Sequence, residues 1–125
     1  MKKIVLSPNA PKPIGPYNQA MQAGNFLFVS GQLAIDPKEG KIVAKDITLQ
    51  TRQVMDNIKA ILEAAGYSLK DVVQSTVYLS SMALFEEFNF EYAKYFEAEF
   101  PARATVGLEL KTGAIVEVSV VAYKD

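Results

Sequence analysis

Between Thr48 and Ala65 the residues Val54, Ile58, Ile61, Leu62 and Ala65 return at helical spacing, and Gly66 follows where a left-handed C-cap belongs. Such a helix has one apolar stripe to bury, and the runs on either side of it read as the sheet that buries it. Before it, "NQAMQAGNFLFVSGQLAID" holds two strand-like runs about Gly24-Asn25, a pair suited to a hairpin turn. In the run Phe26 to Gln32, Phe26 and Phe28 face one side and Leu27 and Val29 the other, so both faces seek cover. After the helix, "SLKD", Ser68 to Asp71, has the spacing of a capping box and leads into "VVQSTVYL", rich in β-branched residues. A second helix is expected from about Met82 to Glu99, with Phe85, Phe88, Tyr92 and Phe96 along one stripe and Pro101 beyond its end. Two strands, roughly Arg103 to Leu110 and Ile115 to Tyr123, finish the chain. The order strands, helix, strand, helix, strand, strand predicts an α+β fold, a mixed sheet with both helices on one face. Its other face stays open, and since the strands carry apolar residues on both sides, that face is expected to pack against copies of the same chain.

Composition narrows the chemistry. The 125 residues, half of them hydrophobic, suit one domain over 1–125. Without cysteine there is no disulfide and no thiol nucleophile. Without histidine, the side chain that usually moves protons near neutrality and the commonest zinc ligand are both missing, so any acid or base is something else. The net charge is −1 and the lysines are scattered, which argues against a nucleic-acid partner. No run is long enough to span a bilayer or to serve as a secretory leader, and a cytoplasmic protein is the expectation.

Lysine outnumbers arginine eleven to two, yet one arginine stands in "FPARATVGLEL", a segment that otherwise reads as a strand. Alternation puts Arg103, Thr105, Gly107 and Glu109 on one face of it. A three-residue loop, Lys111-Thr112-Gly113, joining the last two strands as a hairpin would pair Gly107 with Glu117 and Thr105 with Ser119. In that register Arg103 and Glu117 share a face, roughly 13 Å apart along the ladder at ~3.3 Å per residue, with Gly107 keeping the gap open. A guanidinium matches a carboxylate bidentately, so Arg103 is either a receptor for a small organic acid or an edge arginine paired with Glu109, Glu117 or a neighbour. Glu117 either orders and deprotonates a water or forms a salt bridge. Tyr17 in "IGPY", Ser30 and Gly31 in "SGQ", and Asn89 on the apolar side of the second helix are further candidates, each with a plain packing alternative. Arg52, four residues before Asp56, reads as a solvated helix-face residue.

Taken together, "IGPY", "VSGQ", "QTRQVMDNIKAILEAAG" and "FPARATVGLEL" followed by "VEVSVVA" resemble the RidA (YjgF) family of reactive imine deaminases, over about Ala10 to Ala122. The resemblance implies a chorismate-mutase-like fold, assembled as a homotrimer around a central β-barrel with clefts between subunits. It implies hydrolysis of 2-imino acids or their enamine tautomers to 2-keto acids and ammonia, with no cofactor or metal. By motif, Arg103 is similar to the family's carboxylate-binding arginine and Glu117 to its water-positioning acid. Tyr17, Ser30, Gly31 and Asn89 fall on its pocket positions, and Thr105 stands where relatives often have cysteine. Two other functions compete: a non-catalytic keto-acid-binding or chaperone-like trimer, and, last, an endoribonuclease.

Overall fold

The computed structural model describes residues 1–125 and contains six strands and two helices: β1 (Lys2–Val5), β2 (Ala20–Ala23), β3 (Phe26–Gln32), α1 (Ile47–Ala64), β4 (Val72–Leu79), α2 (Phe85–Ala93), β5 (Ala102–Gly107) and β6 (Val116–Tyr123). They form one mixed sheet in the order β1-β2-β3-β6-β4-β5. The α+β architecture with both helices on one sheet face is as expected. Strand β1 was not anticipated: its "KKIV" is short and half charged, and only its antiparallel pairing with β2 makes it a strand.

Local signals set most elements. Asp46 caps α1 by accepting a hydrogen bond from the Leu49 N–H at 2.9 Å. Gly66 ends the helix at φ +81°, and Gly24 turns the β2–β3 hairpin at φ +58°. In "SLKD" the Asp71 carboxylate accepts from the Ser68 N–H at 2.8 Å, so the acidic arm of the expected box is present. The second helix is shorter than the expected Met82–Glu99. A 3-10 turn, Met82–Leu84, precedes it and a tightened last turn ends it after Ala93. The aromatic stripe continues past that end, with ring centroids 5.2 Å apart for Phe88 and Tyr92 and 5.0 Å for Tyr92 and Phe96, because Phe96 turns inward to the core.

The core lies between the helices and one sheet face. Leu27, Val29, Val77, Val116, Val118 and Val120 meet Val54, Ile58, Ile61 and Phe88 there. The two helices are also clamped at their outer surface. Glu91, buried on α2, accepts from Arg52 Nε at 3.1 Å and Lys94 Nζ at 3.0 Å, and these hydrogen bonds hold its carboxyl below the usual carboxylate range. Arg52 is exposed on the helix face as expected, but it is also the inter-helix partner of Glu91. A helical wheel of α1 alone cannot see that partner. No helix is long and apolar enough to cross a membrane.

The largest departure concerns the last two strands. They do not form a hairpin: β6 runs antiparallel between β3 and β4, while β5 lies at the sheet edge, parallel to β4. The expected pairs Gly107–Glu117 and Thr105–Ser119 do not exist. Arg103 stands opposite Ser75, and Glu117 opposite Tyr78. The segment after β5 carries the chain across β4 rather than folding back onto the free outer edge of β5, and in the slot between β3 and β4 the alternating Val116, Val118 and Val120 of β6 are fully covered, as an edge position would not allow.

Candidate functional site

Opposed residues on a ladder project to the same side of a sheet. Ser75 points toward α2, where its hydroxyl meets the Tyr92 hydroxyl at 2.7 Å, so Arg103 belongs to the helix side. In β6 the buried Val116, Val118, Val120 and Ala122 face the helices, and Glu117, Ser119, Val121 and Tyr123 face away. Arg103 and Glu117 thus occupy opposite faces, correcting the expectation of a shared one. Three rungs and two strand spacings separate them, roughly 14 Å between backbones at ~3.3 Å and ~4.8 Å each. One subunit cannot close these two groups on one small substrate.

Each defines its own half-site. The Glu117 half lies in an open cleft of about 440 Å³ whose lining includes Pro11, Lys12, Tyr17, Ser30, Gly31 and Lys111. A β-bulge builds its floor: between the pairs Val29–Val120 and Gln32–Val118, Ser30 and Gly31 oppose Ser119 alone. Gly31 is there because of Glu117. A Cβ at Gly31 would overlap Glu117 Oε2 and lie 3.0 Å from its Cδ. The Glu117 carboxyl is half-buried, forms no salt bridge, and is raised in pKa by that burial. The Ser30 hydroxyl donates to the Asn18 carbonyl at 2.6 Å and so fixes the bulge rather than standing free. Tyr17 is partly exposed in the "IGPY" loop. Its hydroxyl accepts from the Ile14 N–H at 3.4 Å, and Gly15 leaves room for its ring.

Three buried amides hold the walls of this cleft. Gln19 donates to the Pro11 carbonyl at 2.9 Å and accepts from the Ser7 N–H at 2.6 Å. Gln50 donates to the Gly113 carbonyl at 2.9 Å and accepts from the Ile115 N–H at 3.1 Å. Asn57 donates to the carbonyls of Leu33 and Ile35 at 3.2 and 3.0 Å. None was singled out from the sequence. The available signal was a polar residue on the inward side of α1, at Gln50 and Asn57, seven apart.

The Arg103 half lies on the far side of β5. The guanidinium is exposed, makes no ion pair with Glu109 or Glu117, and rests over the rings of Phe85, Phe88 and Tyr92 at 5.6, 5.8 and 5.2 Å. Thr105 follows it on the same face, and Asn89 lies on the α2 stripe that carries those rings. Thr105 Oγ1 and Asn89 Oδ1 are both buried without a hydrogen-bond partner, so Asn89 is not a satisfied core anchor. Gly107 does not hold open a gap toward Glu117. It admits Met82, whose Cγ would be 3.0 Å from a Cβ there. Hence Tyr17, Ser30, Gly31 and Glu117 come together, as do Asn89, Arg103 and Thr105, but the two groups do not meet within one chain. No three His, Cys, Asp or Glu side chains converge as a metal-holding group.

The open sheet face between the halves is apolar, with Ile4, Phe26, Phe28, Val106 and Tyr123 all substantially exposed.

Comparison with known proteins gives a consistent result. The family model described as endoribonuclease L-PSP matches residues 7–124. A RutC family protein of Pyrococcus horikoshii is 56% identical over 126 residues, covering 100% of both chains. A protein of Dermatophagoides farinae named 2-iminobutanoate/2-iminopropanoate deaminase is 38% identical over 94% of this chain and 92% of its own. The crystal structure of the E. coli YjgF gene product superposes with a TM-score of 0.93 at 38% identity, covering 98% of this chain and 99% of that one.

Proposed function

The chain belongs to the RidA/YjgF family, and from that premise we propose that it hydrolyses reactive 2-imino acids, and the enamines that tautomerise to them, to 2-keto acids and ammonia. The site is composite: Arg103, Asn89 and Thr105 of one subunit face Glu117, Gly31, Ser30 and Tyr17 of the next in a homotrimer. The observation that carries this reading is the division of the two charged groups between opposite sheet faces, each unpaired and each open to a second chain. The uncovered apolar face between them supports self-association.

The reaction makes small demands. An iminium acid and water give a keto acid and ammonium: the C=N carbon gains a C–O bond, loses its C–N bond, and the two water protons end on nitrogen. Arg103 clamps the substrate carboxylate bidentately. Glu117 takes a proton from the attacking water and returns it to the departing nitrogen, a two-way role suited to a carboxyl whose pKa burial has raised above the ordinary glutamate value. The protonated imine is already electrophilic, so proximity and electrostatic fit supply the rest.

A keto-acid-binding trimer without turnover would use the same clamp, since the product carries the same carboxylate. Phosphodiester cleavage has the least support, because the chain has no histidine to move the protons. In a mixture with a serine or threonine dehydratase, where semicarbazide traps the free imine, added protein is expected to accelerate keto-acid release. Arg103→Lys should remove most of that acceleration, since an ammonium lacks the planar fork. Keto-acid binding with no acceleration would select the binder.

A further inference from the structure

On the proposed function substrate capture depends on Arg103, yet it sits on an edge strand, exposed, with no carboxylate to orient it. A long side chain in that position ordinarily samples many rotamers, and each frozen torsion costs affinity on binding. Here the guanidinium instead lies over three rings from successive turns of α2. Tyr92 is the nearest at 5.2 Å and the only one of the three with a polar anchor. Its hydroxyl is tied to Ser75 Oγ at 2.7 Å inside the core, and Ser75 is the β4 residue on the same rung as Arg103. The ring is wedged from both sides as well, with Phe88 at 5.2 Å and Phe96 at 5.0 Å.

We propose that Tyr92, locked by Ser75, is a positioning residue for Arg103: together with Phe85 and Phe88 it forms an aromatic cradle that fixes the guanidinium plane and leaves its forked edge free for an incoming carboxylate. Cation–π attraction uses the faces of the guanidinium, whereas a carboxylate takes N–H groups in its plane, so the two contacts do not compete. Ser75 links the rung that carries Arg103 to the helix that carries the rings, which makes cradle and arginine one rigid unit. Lysine could be attracted to the same rings as a point charge, but it has no plane for them to orient.

The cradle itself is independent of the hydrolase reading, while its consequence for carboxylate capture rests on it, and two measurements separate them. The chain has only two arginines, so the Nε–Hε signals of nitrogen-15-labelled protein are assigned by the loss of one in Arg103→Lys. In the ligand-free wild type the Arg103 signal is expected upfield, shifted by the ring currents. Tyr92→Leu should move it back, and Ser75→Ala, which leaves every ring in place and keeps the fold testable if Tyr92→Leu is unstable, should move it part of the way. An unshifted Arg103 signal in the wild type overturns the cradle. In calorimetric titration with 2-ketobutyrate, Tyr92→Leu is expected to weaken binding about five- to tenfold, Tyr92→Phe less, and Tyr92→Leu should cost nothing further in an Arg103→Lys background. Equal loss in both backgrounds overturns the positioning role. A ring-shifted Arg103 signal in a wild type that neither binds the keto acid nor hydrolyses the imine sinks the proposed function and leaves the cradle standing.

Discussion

Glu117 shows how one residue can be good for a site and bad for a fold. Its carboxyl is pressed against Gly31, half-buried, with no cation close enough to offset the loss of water. Burial therefore favours the neutral acid, and the folded-state pKa lies above that of the unfolded chain. The sign follows from linkage: the group's contribution to stability is complete at low pH and is lost as pH rises through the raised folded value. Glu117→Gln has no proton to lose, so its melting temperature is expected to match wild type near pH 4 and to exceed it at pH 8, while imine hydrolysis is abolished. Calorimetry across that range checks the first part and the imine-hydrolysis assay on the variant checks the second, while the acid limb of wild-type kcat/KM should lie above the ordinary glutamate value of about 4.3. That Glu117 and Arg103 are candidates was legible from the sequence, because a charged residue among alternating apolar ones stands out. That Gly31 exists to admit Glu117 was not, since the two are far apart in sequence and meet only through the bulge.

Among the elements, α1 does more than cover the sheet. Its stripe of Val54, Ile58, Ile61 and Leu62 was readable because burial of that kind leaves a period in the sequence. Its two inward amides, Gln50 and Asn57, fall on the same period but are polar, so a search for an apolar stripe passes over them. Yet Gln50 holds the loop between β5 and β6 that carries Lys111, taking the Gly113 carbonyl and the Ile115 N–H. Gln50→Leu keeps the volume roughly and leaves the buried Ile115 N–H without a partner, at about 1–3 kcal/mol, while the Gly113 carbonyl loses its donor at a more open position. We expect a loss of about 1–3 kcal/mol in denaturant unfolding, with hydrogen exchange at the Ile115 amide accelerated well beyond that of α2. Uniform acceleration across the molecule, or an unchanged midpoint, would show that the loop is held by something else. The shortened α2 has the same origin as these misses. Its sequence continues to favour helix to Glu99, but the backbone tightens to i→i+3 bonds at Lys94, Tyr95 and Phe96 while Phe96 stays buried.

For the whole molecule, the decisive feature is the order β6-β4-β5 at one end of the sheet. Sequence reasoning favours the hairpin between neighbours in the chain, and a polar face on each strand made that register look self-consistent. Parallel pairing of β5 with β4 is a non-local choice, set by α2 packing across them, and no short-range pattern encodes it. The consequence is that Arg103 and Glu117 point to opposite sides of one subunit, so the proposed reaction needs the two groups from different subunits. This is testable by complementation. Arg103→Ala and Glu117→Ala are each expected to be inactive alone, and co-expression of the two chains lets them assemble at random. A site is whole only where a subunit with an intact arginine, carrying the Glu117→Ala change, meets a neighbour with an intact glutamate, carrying Arg103→Ala. In a ring of identical interfaces each such meeting has a chance of about one in two for either partner, so about a quarter of wild-type turnover should return at equal expression. If both groups acted within one chain, no mixture could restore any activity, and a co-expressed pair as inactive as its parents would refute the composite site.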